Sequence, residues 1–184
     1  MHLNQWFERG MNPDAYIESM EKNKEDLLHI YDHFSLPVDD AFFNEIREKN
    51  LRAIVLTEDW CGDAMLNIPI LLKLSEAANM QVRMLLRDQN LELMDQYLTN
   101  GKARSIPIFV FINENGEEVA KWGPRAAELQ QFVDHSRASL PPQDAQDHDE
   151  KAKEMYLFIS KSYRDNQDFW LAVYNSLKET LAKA

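Results

Sequence analysis

The sequence predicts an α/β protein: a central mixed sheet flanked by helices, extended by further helices at both ends. Three observations carry this. Between residues 53 and 98, short β-branched apolar runs alternate with longer runs of helical period. A third apolar run opens on Pro107 and is followed by Asn113-Glu114-Asn115-Gly116, a hairpin signal, and a returning run. Both ends of the chain carry helical-period apolar stripes bounded by cap signals.

Residues 1–34 read as helical. Asn12-Pro13-Asp14 supplies an N-cap, a proline at the first helical position and a first-turn acid. Ile17, Met20, Leu27, Tyr31 and Phe34 form the stripe, with a break near Lys24. Pro37 closes this segment. A second helix starts at Asp39 or Asp40, turns Phe42, Phe43 and Ile46 inward and stops near Asn50. Strand 53–57, helix 63–78 and strand 81–86 then make a βαβ unit, so these two strands should be parallel. A helical run over 91–98 follows, then the strand after Arg104. The hairpin brings residues 117–122 back antiparallel, and helix 126–140 closes a β-α-β-α-β-β-α order. Pro141-Pro142-Gln143-Asp144 is a boundary, with a solvated acidic linker through Asp147-His148-Asp149 to Glu150. From about Lys151 come two amphipathic helices, turned and capped by Asp165, Asn166 and Asp168. Helices this short need tertiary packing. They fold back on the core; exchange with a second subunit, giving a homodimer, is the alternative. The domain division is therefore 1–50 (N-terminal helical extension), 51–140 (core) and 141–184 (linker and helical pair).

Composition narrows the function. The 184 residues carry a formal net charge of −11, which disfavours nucleic acid and anionic membrane surfaces as partners. No apolar run approaches a membrane span, and the N-terminus lacks the basic start and apolar core of a signal peptide. A single cysteine cannot form an internal disulfide. Together these features indicate the cytoplasm. His29 and His33 stand four apart on a helix but lack a convincing third ligand, so no metal is expected. There is no phosphate loop, Ser-His-Asp arrangement or dinucleotide fingerprint, and no cofactor is expected.

The cysteine occupies a telling position. In Thr57-Glu58-Asp59-Trp60-Cys61-Gly62-Asp63-Ala64 it sits where the first strand turns into a helix. The unpaired N–H groups and partial positive charge of a helix N-terminus favour a thiolate there. This turn resembles the Trp-Cys-Gly-x-Cys active site of the thioredoxin family. Further matches follow at compatible spacings: Pro69 in the active-site helix, Asp88-Gln89-Asn90 at the end of the second strand, Ile106-Pro107 as the cis-proline loop, and Asn115-Gly116-Glu117 with Gly123 around the last hairpin. About 85 residues, roughly 53 to 138, are covered. The N-terminal helices replace or displace the family's first strand, and the C-terminal pair lies outside the resemblance.

The resemblance implies a thioredoxin-like fold in which Cys61 is the reacting thiol. Trp60, Gly62, the Ile106 backbone and Pro107 would form the substrate groove, pairing with an extended substrate by strand addition. The departures matter as much. Ala64 replaces the resolving cysteine, so dithiol exchange cannot be completed within the chain. Val55 stands where many members have a buried aspartate. Asp63, with Glu58 and Asp59, puts three carboxylates around the thiol, and Arg104 is a candidate to offset them. Carboxylates disfavour the thiolate while the helix terminus favours it. The first expectation is a monothiol oxidoreductase acting on protein or low-molecular-weight mixed disulfides, with a small thiol as reductant. The alternatives are an inactive binding or adaptor module and a redox sensor whose Cys61 becomes a sulfenic acid or a mixed disulfide.

Overall fold

Strand β1 (Arg52–Thr57) lies inside a four-stranded sheet in the computed structural model, which describes residues 2–184. The order is β2-β1-β3-β4, with β2 spanning Gln81–Leu86, β3 Ile108–Ile112 and β4 Glu118–Trp122. β1 pairs with β2 in parallel, because helix α5 (Gly62–Ala77) supplies the crossover between them. β3 is antiparallel to both β1 and β4. β1 and β3 are covered on both faces, which is why both read as unbroken apolar runs. The hairpin closes through Asn113 N–H to Glu117 O at 3.0 Å and Gly116 N–H to Asn113 O at 3.0 Å, with Gly116 at φ +78°. The architecture is a mixed α/β sheet flanked by helices, with additional helices at both ends.

The N-terminal segment read as helical divides into α1 (Leu3–Arg9), α2 (Pro13–Ser19) and α3 (Lys24–His33), followed by α4 (Asp40–Glu48). The caps are where the residue types place them: Asn12 Oδ1 accepts the Ala15 N–H at 2.8 Å, and Asp39 Oδ1 accepts that of Phe42 at 3.2 Å. The long helix breaks because Met20 turns extended and Asn23 adopts φ +58°, so α3 starts afresh at Lys24. Between α1 and α2, Met11 exchanges both backbone hydrogen bonds with Met84, at 2.9 and 2.8 Å. A one-residue bridge thus takes the outer side of β2, where a full strand would otherwise pair.

Two segments differ from the sequence expectation. The helical run over 91–98 is only α6 (Leu91–Met94), preceded by a 3-10 turn at Arg87–Gln89. After Met94 the bonds shorten to three-residue spacing, Gln96 to Leu93 and Tyr97 to Met94. Asn100 and Gly101 then take positive φ and reverse the chain. The acidic linker is also shorter. After α7 (Ala127–Ala138), α8 already begins at His148 and runs to Asp165, with Asp147 as its N-cap and His148 Nδ1 2.8 Å from the Pro141 carbonyl oxygen.

α8 and α9 (Gln167–Ala182) fold back on the same chain's α5, α7 and β4. Trp170, Val173, Tyr174, Leu177 and Leu181 are buried there. Indole donors fasten this packing: Trp170 Nε1 to Tyr163 O and Trp122 Nε1 to Ser176 Oγ, both at 2.8 Å. Lys178 of α9 pairs with Asp39, tying the C-terminal hairpin to the N-terminal helices. Among the described residues, no helix is long and apolar enough to cross a membrane.

Candidate active-site turn

β1 ends at Thr57 and the chain turns once, with the Cys61 N–H bonded to Glu58 O at 3.3 Å. Cys61 is the N-cap of α5: its backbone is extended (φ −84°, ψ 118°) while its carbonyl accepts the first helical bond, from Met65 N–H at 3.0 Å. Its thiol is therefore held at the helix's positive end. Sγ donates to the Ile106 carbonyl oxygen at 3.4 Å. The Ile106–Pro107 and Gly123–Pro124 peptide bonds are both cis. Thus Trp60, Cys61, Ile106 and Pro107, separated by up to 47 positions in the numbering, lie together at one end of the sheet.

The thiol is only 8% exposed. Burial pushes its pKa up to about 11, with Asp63 adding to the rise; the N–H groups of Ala64 and Asp63 and the charge of Arg125 pull the other way. A raised cysteine pKa means that the folded state keeps a proton the unfolded chain releases. Stability relative to a Cys61→Ala variant should therefore be fully present below pH 9 and decline between about pH 9 and 11, by up to about 3 kcal/mol. Urea titrations of both proteins across that window check this; parallel pH profiles would show that the folded thiol titrates normally.

Only one of the three neighbouring carboxylates bears on the thiol. Asp63 accepts two bonds from Arg125, Nε to Oδ1 at 2.8 Å and Nη2 to Oδ2 at 2.6 Å, and a third from the Tyr163 hydroxyl at 2.9 Å. Glu58 instead turns to the 3-10 turn after β2, its Oε1 accepting the Asp88 N–H at 2.8 Å. Asp59 Oδ2 accepts the N–H groups of Glu21 and Lys22 at 2.8 and 3.1 Å, tying the turn to the N-terminal helices. Arg104 does not offset the acids. It forms a two-pronged bond with Asp95, at 2.7 and 2.9 Å, because that exposed carboxylate faces it across the loop after α6. Arg125 takes the compensating place.

The remaining candidates frame the turn. Trp60 is 46% exposed, with the Arg87 guanidinium 5.0 Å from its ring centre. Ala64 and Val55 are buried. A Cβ at Gly62 would first meet Ser160 Oγ, at 3.8 Å, so α8 lies over the turn. Gly123 adopts φ +129°, and a Cβ there would overlap the Pro107 carbonyl oxygen. Pro69 sits inside α5, and two residues earlier Asn67 Nδ2 donates to Pro124 O at 3.0 Å, fastening that helix to the second cis-proline segment. His29 and His33 stack at 4.2 Å, and no group among the described residues has the makings of a metal site.

Arg125, Tyr163 and Ser160 escape sequence inspection. Arg125 and Tyr163 are 62 and 100 positions from Asp63, and no spacing rule links them to it.

Solved structures resemble this chain over nearly its whole length. An HIV epitope scaffold superposes with a TM-score of 0.64 at 13% identity, covering 96% of each chain. A protein of unknown function from Pseudomonas aeruginosa gives 0.64 at 15% identity, covering 96% of this chain and 99% of its own. At such identities the likeness concerns the fold alone. No curated protein matches in sequence. The family model described as Thioredoxin matches residues 10–146, which takes in α2 to α7 with the whole sheet and the Cys61 turn. The chain belongs to the thioredoxin family.

Proposed function

We propose that the protein is a single-thiol exchange protein of the cytoplasm, acting through Cys61 on mixed disulfides of proteins or small thiols. The observation that supports this most is the thiol's setting: Sγ at the N-cap of α5, 3.4 Å from the Ile106 carbonyl, beside the exposed Trp60 ring. Cys61 would attack one sulfur of the substrate disulfide. A Cys61–substrate disulfide forms, and the other half leaves as a thiol, taking up the proton Cys61 loses. Ala64 offers no second sulfur, so an external small thiol must attack the mixed disulfide to free Cys61. Trp60, Gly62, Ile106 and Pro107 hold the substrate. Glu58, Asp59 and Gly123 keep the turn and the proline loop in register, while Asp63 restrains ionisation of the resting thiol.

Cys61→Ser should abolish exchange with a mixed-disulfide substrate; undiminished turnover would sink the proposal. A second test restores a dithiol. Positions 61 and 64 are one helical turn apart, within the Cα separation of about 4.4–6.8 Å that a disulfide needs. Ala64→Cys should therefore oxidise to an internal disulfide and reduce protein disulfides measurably. Failure to close that bond would mean the turn lacks exchange geometry.

The burial of Cys61, with α8 lying beside the neighbouring Gly62, favours a second reading, a binding module without turnover. In that case Cys61→Ser would leave partner binding intact.

A further inference from the structure

A cleft of about 250 Å³ lies between the active-site turn and the α7–α8 pair, lined among others by Trp60, Gly62, Arg137, Tyr156, Ser160 and Tyr163. Trp60 and Gly62 flank Cys61 in the chain, so the cleft adjoins the thiol's position. Its charges do not cancel. Asp63 is neutralised by the paired guanidinium of Arg125, 2.6 Å away. Asp134, one turn before Arg137 on α7, accepts the amide of Gln130 at 2.8 Å. The Arg137 guanidinium has no hydrogen-bond or ion-pair partner among the described residues, and neither does the Ser160 hydroxyl. On a protein of net charge −11, this leaves a cationic fork, a hydroxyl and two aromatic walls beside the turn that carries Cys61.

We propose that this cleft binds the carboxylate-bearing end of a small disulfide, with Arg137 holding the carboxylate while the disulfide is presented to Cys61. Guanidinium matches carboxylate in a planar two-pronged bond, and Ser160 adds a neutral donor. The space fits a molecule on the scale of an amino acid or a short peptide rather than the surface of a folded protein. Within the exchange function proposed above, this names the substrate class. Cys61 forms a disulfide with the bound half, and the second half departs as the free thiol with the proton from Cys61. No further oxidant or reductant enters that step.

Two aliphatic disulfides of similar size and opposite charge test it: dithiodipropionate, which carries carboxylates, and cystamine, which carries amines. Adduct formation on the native full-length protein is followed by mass spectrometry. The ratio of the two rates should favour dithiodipropionate in the wild type and fall about tenfold in Arg137→Gln. Alkylation by neutral iodoacetamide should be unchanged by that substitution. Free propionate should slow the dithiodipropionate reaction in the wild type but not in Arg137→Gln, which separates a site from a general field effect. An unchanged ratio, or propionate inhibition that survives the substitution, overturns the anion site and leaves exchange at Cys61 standing. No adduct with either disulfide overturns the exchange function and this site together.

Discussion

Gly123→Ala is expected to destabilise the protein by about 3 kcal/mol and to disturb the thiol site at the same time. Gly123 holds φ +129°, a conformation that residues with a Cβ rarely adopt. The added methyl would overlap the Pro107 carbonyl oxygen and press on Ile108 Cα at 3.2 Å. Both obstacles are backbone, so no side-chain rotation relieves them. The alternative is to push β3 and the Ile106–Pro107 loop away from β4, which moves the carbonyl that accepts the Cys61 thiol. Urea unfolding should show a lower midpoint, and native Cys61 should alkylate faster as its cover loosens. A variant with the wild-type midpoint would contradict this account of the loop.

The second large effect is expected at Asp63. Asp63→Ala leaves the half-buried Arg125 without its carboxylate, though still bonded to Gln130, and the Tyr163 hydroxyl without its acceptor. Breaking one side of a fully buried ion pair costs about 3–5 kcal/mol, and about 2 kcal/mol is expected here because water still reaches part of the remaining charge. The same change should lower the Cys61 pKa: it removes a carboxylate that raises it and leaves Arg125, which lowers it. Stability and thiol acidity therefore move in opposite senses. An unstable variant with unchanged thiol titration would mean that Asp63 acts only as a fastener between α5, Arg125 and α8. Unchanged stability would refute this role of the ion pair.

Much of the sheet was legible in the sequence because its signals are local. The doubly covered β1 and β3 show themselves as apolar runs, and Asn12, Asp39 and Asn166 mark helix starts by residue type alone. The break near Lys24 was legible in the N-terminal stripe and falls at Asn23, whereas the turn at Gly10 that separates α1 from α2 was not. Partners of charged side chains were the least legible. Arg104 stands two residues from Ile106 and looked placed for the thiol, yet its carboxylate is Asp95. Arg125, which follows β4 and the Gly123-Pro124 break, is the one that reaches Asp63. Sequence gives the sign of a charge, while the fold alone decides which opposite charge it meets. The same holds for α8: its amphipathic period was readable, but nothing in it announced that Ser160 comes to lie beside Gly62.

The proposal that Cys61 is an exchange thiol held protonated by burial and Asp63 meets its sharpest test in the pH dependence of Cys61 alkylation in the native protein. A titration midpoint near 11 is expected, well above the free value of about 8.5, with a plateau reached while the protein remains folded. Asp63→Ala should bring that midpoint down. Alkylation that occurs only at the rate of global unfolding, with no native titration, would contradict it and make Cys61 a packed residue of the core.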